Sequence, residues 1–221
     1  MRASEVREAG ATAEAGEAGR TAPRRSGGRS DAADTRCRII EATAALLQRQ
    51  GYESTSVKAI AGAANASPSS VYHFFPGGKQ ELAIEAMRHG AAEFGELIAE
   101  GLASSPDPAE ATAACALLLA DTLRESDWTD GCPVAVTALE TVGRVPGLQE
   151  AATEALTHWR GLVAAKLRES GIEPAAARSL AGTVISMLEG AELLSRVGGD
   201  DTPLRDAAVH LAQLVRASPR G

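Results

Sequence analysis

A short run of polar side chains has the chemistry of a nucleic-acid contact. Ser69 and Ser70 offer small hydroxyl groups, and Tyr72, His73 and Lys79 add a phenol, an imidazole and an ammonium group. Groups of these kinds hydrogen-bond phosphates and base edges, and small residues let a helix approach a duplex closely. The run therefore predicts a surface that contacts DNA.

Two short helices joined by a tight turn are predicted to position these side chains. Thr55 and Ser56 are suitable N-caps for the first helix, as is Ser67 for the second, because a hydroxyl accepts the free N–H groups of a first turn. Asn65 enters the left-handed region with little strain and so ends the first helix. This layout places a recognition helix in the major groove. The residues predicted to contact DNA are Thr55, Ser56, Lys58, Ser67, Pro68, Ser69, Ser70, Tyr72, His73 and Lys79.

The glycines that follow this motif invite comparison with a phosphate-binding loop. Such a loop would need another glycine where His73 stands and a serine or threonine where Gln80 stands. The pattern is therefore absent. The backbone N–H groups at the next helix start, together with Lys79, are better interpreted as a clamp for a DNA phosphate.

The formal net charge of −7 argues at first against a nucleic-acid partner. However, residues 1–82 contain eleven Lys and Arg against nine Asp and Glu, a net charge of +2, whereas residues 83–221 have a net charge of −9. An acidic body is repelled by phosphate and should face away from the duplex. The total charge therefore does not decide the question.

The sequence contains none of the familiar patterns for catalysis or metal binding. G-x-S-x-G and H-E-x-x-H are absent, and so is G-x-G-x-x-G after a strand. Cys37, Cys115 and Cys132 are far apart, and the four histidines form no close cluster, so we predict no disulfide, no metal site and no cofactor. We also find no membrane span or signal peptide. These observations favour a non-enzymatic protein of the reducing cytoplasm.

Composition and periodicity divide the chain into three predicted segments of an all-α protein. Residues 1–33 have almost no large apolar side chain and are expected to form a disordered basic arm, which either strengthens DNA binding or is only a solvated tail. Residues 34–82 form the helix-turn-helix domain, beginning with a helix from about residue 34 to 50. Residues 83–221 form a helical domain for ligand binding and dimerisation. Abundant Ala and Leu, without sustained alternation, exclude a sheet.

The last two predicted helices, residues 175–197 and 203–217, have broad apolar faces. A single hydrophobic core does not obviously bury all of this apolar surface. We therefore predict a four-helix interface between two copies, with ordinary intrachain core as the alternative. A DNA site with two half-sites also requires two DNA-binding heads. The predicted dimerisation residues are Leu180, Val184, Leu188, Ala191, Leu204, Ala208, Leu211 and Val215.

These features together resemble the TetR family of bacterial transcriptional repressors over about residues 34–217. In the helix-turn-helix region the matching residues are Gly51-Tyr52, Thr55-Ser56-Val57, Ile60-Ala61, Ser67, Val71-Tyr72-His73, Phe75, Lys79 and Glu81-Leu82. Three further stretches are similar to the LmrA/YxaF-like subgroup, namely Tyr72 to Lys79, Gly131-Cys132-Pro133-Val134 and Met187-Leu188-Glu189-Gly190-Ala191. The sequence departs from the usual family pattern at Asn65, Pro68, Ser69 and Phe74. These changes bear on which operator sequence is bound more than on how the protein binds DNA.

The resemblance implies a homodimeric repressor that a small-molecule inducer releases from double-stranded operator DNA. In TetR-like proteins the middle helices bind the inducer. The implied pocket residues here are Phe94, Leu118, Trp128, Cys132, Val136, Leu139, Trp159, Val163, Met187 and Glu189.

Glu140 and Glu189 are carboxylates inside apolar runs, where an unpaired buried charge is costly. A cationic or hydroxyl-bearing ligand would satisfy them, and so would a neighbouring N–H or Arg144. The alternative function is a helical dimeric interaction module without ligand-controlled DNA binding.

Overall fold

The predicted all-α fold is confirmed. The computed structural model describes residues 27–219, with side chains described from residue 31 onward, and this part of the chain has nine helices and no strand. The helices are α1 (Gly27–Gln50), α2 (Val57–Ala63), α3 (Pro68–Phe74), α4 (Gly78–Ala103), α5 (Pro108–Glu125), α6 (Ala135–Thr141), α7 (Pro146–Glu169), α8 (Pro174–Gly198) and α9 (Thr202–Arg216).

The first helix begins earlier than the sequence predicts. α1 starts at Gly27, so residues 27–33, which composition places in the disordered arm, are helical. Ala32 and Ala33 favour a helix, and the Arg38 guanidinium pairs with the Asp34 carboxylate one turn earlier, which extends helical structure toward the N-terminus. The remainder of the predicted arm, residues 1–26, lies outside the described residues. The end of α1 and the bounds of α8 and α9 fall within one residue of their predicted positions.

Helices α1, α2 and α3 and the start of α4 enclose a small core of their own, which defines the head. It consists of Ile39, Ile60, Ala61, Ala64, Val71, Phe75 and Leu82. Ile39, Ile60 and Phe75 are fully shielded from solvent, so burial of these large side chains holds α1, α2 and the end of α3 together. The head is thus a compact support for α3.

The remaining helices form the body, and α4 connects it to the head. α4 packs against α1 in the head and against α5 and α7 in the body. The indole of Trp159 on α7 is fully buried; it donates to the Ala91 carbonyl at 3.0 Å and packs 4.5 Å from the Phe94 ring. A Cβ at Gly90 would lie only 3.0 Å from Pro133, so this glycine lets the loop before α6 approach α4. The long helix α4 therefore contacts both the head and the body.

Between residues 27 and 219, no helix combines the length and the hydropathy that crossing a membrane requires.

Candidate functional site

The turn between α2 and α3 adopts the geometry that its residues predict. Asn65 has a φ of 50°, in the left-handed region, and the Ala66 N–H donates to the Ala61 carbonyl at 2.9 Å. The Ser67 hydroxyl then accepts the Ser70 N–H at 3.1 Å, and Pro68 occupies the first position of α3, where its missing N–H costs nothing. The chain reverses within four residues, and α3 begins at once.

Helix α3 presents one face to the head core and the other to solvent. Val71 is completely buried, whereas Tyr72 is 55% exposed and His73 is exposed beside it. Ser67, Pro68 and Ser69 are exposed at the start of the helix, and the Ser67 hydroxyl lies 2.7 Å from that of Ser69. The outward face therefore combines small polar groups with one aromatic ring, as a recognition helix requires.

The predicted contacts from α2 need one correction. Thr55 is 1% exposed, and its hydroxyl donates to the Gly51 carbonyl at 2.7 Å, so it stabilises the turn from within and cannot reach DNA. Ser56 is exposed and caps α2 by accepting the Ala59 N–H at 3.1 Å. Lys58 is exposed and makes no ion pair with any residue between 31 and 219, so its charge is available to a phosphate.

Some of the backbone N–H groups at the start of α4 already have acceptors within the protein. The Gly77 N–H donates to the Glu81 carboxylate at 2.6 Å, and the Gly78 N–H donates to the Phe75 carbonyl at 2.8 Å. The Lys79 ammonium lies 4.1 Å from the centroid of the Tyr52 ring, which is a cation–π contact. A phosphate clamp at this helix start stays a prediction, and any phosphate would meet a lysine already positioned by Tyr52.

A carboxylate from the body caps the turn that leads out of α1. Glu140 on α6 accepts the Tyr52 N–H at 2.5 Å and the Glu53 N–H at 3.2 Å. Arg144, one turn later, pairs with the Glu53 carboxylate at 2.8 Å. Gly51 has a φ of 76°, and a Cβ there would lie 2.6 Å from the Glu140 oxygens. Of the alternatives for Glu140, a neighbouring N–H is therefore the one that the structure contains.

A second polar joint links the end of α1 to α8. The Arg49 side chain donates to Asp130 at 2.5 Å, in the loop between α5 and α6. This hydrogen bond to Arg49 holds the pKa of Asp130 below its ordinary value, against the opposing effect of burial. Arg196 on α8 donates to the Arg49 carbonyl and to the Thr129 carbonyl, both at 2.8 Å. The head is thus joined to the body at α6 and at α8.

The residues implied as an inducer pocket do not form a single site. Cys132, Val136 and Glu189 line one small cavity of about 40 Å³. Met187 lies in a different cleft, between α8 and α9, and Leu139 is 78% exposed. Of the others, Phe94, Trp128, Trp159 and Val163 belong to the core or pack against it, and Leu118 is half-buried. Periodicity identifies apolar faces, but it does not say which of them enclose a cavity.

The predicted dimerisation residues are likewise corrected. All eight are buried inside the single chain, with exposures of 0–8%, so they are unavailable to a partner: Leu180, Val184, Leu188, Ala191, Leu204, Ala208, Leu211 and Val215. The outward apolar side chains of the same two helices are Leu193, Leu194, Val197, Val209 and Leu214. The alternative of intrachain core is correct for the predicted residues, and a different face of α8 and α9 is left to solvent.

The small cavity contains a residue that sequence patterns did not single out. Glu192 is 4% exposed, faces Cys132 and Glu189, and has one carboxylate oxygen without a hydrogen-bond partner in the described part of the chain. Burial, and secondarily the charge of Glu189, raises the pKa of Glu192 to about 8, although Arg196 opposes this. Burial also raises the pKa of the Cys132 thiol and that of Glu189. The sequence signal that could have identified Glu192 is its position three residues after Glu189 on the same helix.

A larger cleft lies between α4 and α7 at the surface. It has a volume of about 400 Å³, within the range of small-molecule sites. Its lining combines small apolar residues, including Gly95, Ala92 and Ala155, with the polar side chains of Arg88 and His158. Because α4 begins in the head, a ligand in this cleft would contact the helix that supports α3.

Comparisons with known proteins identify this arrangement. The family model described as bacterial regulatory proteins of the tetR family matches residues 39–86, and the one for the C-terminal domain of LmrA/YxaF-like transcriptional regulators matches residues 108–210. The chain is 35% identical to YxaF, an uncharacterised HTH-type transcriptional regulator of Bacillus subtilis, over 83% of this chain and 96% of that protein. It belongs to the TetR family. HTH-type regulator LmrA of the same organism is 34% identical, over 77% and 91% of the two chains.

Solved structures agree with this membership. A TetR transcriptional regulator from Chloroflexus aurantiacus superimposes with a TM-score of 0.74 and 28% identity, covering 86% of this chain and 98% of that one. The regulatory protein TetR from Rhodobacter sphaeroides shares the fold with a TM-score of 0.72 and 22% identity, covering 81% and 97%. This member of the TetR family is therefore a DNA-binding transcriptional regulator of the helix-turn-helix type, not an enzyme.

Proposed function

We propose that this TetR-family regulator is a homodimeric repressor that leaves its operator when a small molecule binds the helical body. The observation that carries the DNA-binding part is the exposed face of α3, where Tyr72 and His73 stand beside serine hydroxyls on a buried support. Two such heads, about 34 Å apart in a dimer, would read successive major grooves on one side of the duplex.

The dimer is supported by the apolar surface that α8 and α9 leave to solvent. Leu194 is 63% exposed and Val197 is 81% exposed on α8, while Val209 is 56% exposed on α9. Exposed apolar side chains grouped on neighbouring helices mark interaction surfaces, and α8 and α9 pack against each other. Packing α8 and α9 against their two copies would cover these side chains and form a four-helix interface.

The control by ligand is supported by the cleft between α4 and α7 and by the polar joints above it. A ligand that binds better to one arrangement of α4 shifts the population of dimers toward that arrangement. Glu140, Arg144 and Arg196 fix the head to the body, so a movement of the head relative to the body would change these contacts. Linkage requires that operator DNA weaken ligand binding by the same factor.

The DNA-binding proposal is tested by fluorescence anisotropy on the duplex directly upstream of the protein's own coding region, beside a scrambled duplex, over a salt titration. We expect tight, salt-sensitive binding to the first duplex alone. Tyr72→Ala should weaken this binding at least tenfold, and Lys58→Ala should lower the salt slope by about one charge. Arg178→Ala, a change on the exposed surface of α8, is the control. A scaffold protein would show no difference among these variants.

The inducer proposal is tested by filling the cleft. A compound library is first screened for molecules that release the labelled operator. Ala92→Trp places an indole in the cleft and should abolish the response to the compound while DNA binding persists. Glu100→Trp, on the exposed surface of the same helix, should leave the response intact. Independent binding of compound and operator would refute the coupling.

A further inference from the structure

Three ionisable side chains from distant parts of the sequence meet inside the body. The Cys132 sulfur and carboxylate oxygens of Glu189 and Glu192 all lie within 4.8 Å of one another. Cys132 belongs to the loop that precedes α6, and the two glutamates lie one turn apart on α8. Two of the three stretches that resemble the LmrA/YxaF-like subgroup, residues 131–134 and 187–191, are therefore in contact at this point.

The cluster contains a polar group that the protein leaves unsatisfied. Glu192 is 4% exposed and lines the cavity of about 40 Å³, and one of its carboxylate oxygens has no hydrogen-bond partner among residues 31–219. Leaving a buried carboxylate oxygen unpaired is costly, and natural proteins rarely do so without a functional reason. The geometry therefore suggests that another group completes the site.

The dimensions of the cavity limit what that group can be. Drug-sized ligands occupy sites of about 300–1,000 Å³, whereas a cavity of about 40 Å³ accommodates one water molecule or one ion. Three acidic side chains facing one another also favour a cation over an anion, because a cation can displace their protons and bind the deprotonated forms. The occupant that these observations favour is a single cation.

The donor atoms limit which cation fits. Calcium and magnesium require six or more oxygen ligands and do not favour sulfur. One thiolate with two carboxylates suits a divalent ion of borderline softness, as zinc is. In a tetrahedral zinc site the ligand atoms are about 3.6 Å apart, given bond lengths near 2.2 Å, so a contraction of about 1 Å would suffice here.

We propose that Cys132, Glu189 and Glu192 bind one zinc-type divalent metal ion, with a fourth coordination position open. Once the ion has displaced their protons, the three ligands and the neighbouring Arg196 cation carry a net charge of −2, which a divalent ion neutralises. The site lies where the α5–α6 loop meets α8. Arg196, one turn after Glu192, holds the end of α1, so an ion would bind within reach of the joint between head and body.

Cobalt substitution tests the site directly in the full-length, tag-free protein kept reduced with a phosphine. One equivalent of Co²⁺ should produce a thiolate-to-cobalt absorption band, and one equivalent of Zn²⁺ should abolish it. Cys132→Ser should lose the band, whereas Cys37→Ser, a change at the exposed cysteine of α1, should retain it. Failure of the parent protein to develop the band, or its persistence in Cys132→Ser, would overturn the proposal.

A second variant distinguishes the loss of a metal ligand from misfolding. Glu192→Gln is nearly isosteric and removes a buried acid, so the fold should persist, as circular dichroism would verify. Its zinc affinity, measured by competition with a chromophoric chelator, should fall at least tenfold. Affinity within twofold of the parent protein would show that Glu192 is not a ligand and would refute the three-residue site. Because these measurements use no DNA, their outcome is separate from that of the proposed function.

Discussion

The carboxylate of Glu140 on α6 accepts the backbone N–H of Tyr52 at 2.5 Å, in the turn between α1 and α2. The two residues are 88 positions apart in the chain. The contact fixes the head against the body at the point where the helix-turn-helix begins. It also explains why a half-buried carboxylate can stand inside an otherwise apolar stretch, since two backbone N–H groups offset the cost of its partial burial.

Removing this cap should loosen the head. In Glu140→Ala the Tyr52 and Glu53 N–H groups lose their acceptor, so we expect a loss of about 1–3 kcal/mol in the free energy of unfolding. Amide hydrogen exchange should accelerate at residues 52 and 53. Leu139→Ala, at the adjacent and 78% exposed position, is the control. Unchanged exchange at these two amides would show that the cap does not hold in solution.

Gly51 should tolerate no side chain. Alanine would require a positive φ and would place its Cβ 2.6 Å from the Glu140 carboxylate, so Gly51→Ala should destabilise the protein by at least about 2 kcal/mol. Gly161→Ala in α7 is a matched control, because no atom lies within 4 Å of its added Cβ. That change should raise stability by about 0.5–1 kcal/mol. Denaturant titration of both variants measures the contrast.

The Arg49–Asp130 contact should stabilise the folded protein at neutral pH and contribute less stability in acid. Because the pKa of Asp130 is lowered in the folded protein, its contribution is present above the unfolded pKa, near 3.8, and is lost as the pH falls through the lowered folded pKa. Asp130→Asn should therefore destabilise the protein at pH 7 but have a smaller effect at pH 3. Partial exposure limits the difference to about 1 kcal/mol. An equal effect at both pH values, from chemical unfolding, would contradict this.

The three cysteines should differ sharply in reactivity. Cys37 is exposed, whereas burial raises the pKa of Cys115 to about 12 and raises that of Cys132 as well. The thiolate is the reactive form, so a disulfide reagent at pH 8 should modify one thiol in the native protein and three in denaturant. Cys37→Ser should abolish the fast reaction. Two fast thiols in the native protein would mean that a buried cysteine is more accessible than the structure indicates.

Substitutions on α8 should separate the dimer interface from the core. Leu194→Asp adds a charge to a side chain that is 63% exposed, so it should yield a folded monomer with weaker DNA binding. Leu188→Asp adds a charge at a position that is 1% exposed and should prevent folding. Light scattering gives the mass and circular dichroism the helix content. A dimer that survives Leu194→Asp would place the interface elsewhere.

The helix-turn-helix was largely predictable because its signals are local. Ser56 and Ser67 were recognised as caps from residue type alone, and Asn65 as the residue that turns the chain. Each of these residues acts on groups within four positions of itself, so both interacting partners lie in one short stretch of sequence. Thr55 was misjudged because its hydroxyl has an alternative local acceptor, the Gly51 carbonyl, which draws it into the interior.

The helical body was predictable in outline only. Its helices rich in alanine and leucine have broad apolar faces, so periodicity locates each helix without saying which part of the face meets the core. The predicted dimerisation residues illustrate this, because Leu188 and Leu211 proved to be fully enclosed by their own chain. The cysteine and glutamates of the proposed metal site are 57 or more positions apart in sequence, beyond the reach of any spacing pattern.

The sequence alone therefore determined the family, the all-α fold and the exposed face of α3 that we propose contacts DNA, because caps, turns and helical periodicity act between near neighbours. Only the tertiary structure decided that Glu140 caps the head, that Cys132 meets Glu189 and Glu192, and which side of α8 stays open. Those outcomes depend on how whole helices pack, and packing is set by the sum of many weak contacts between distant residues.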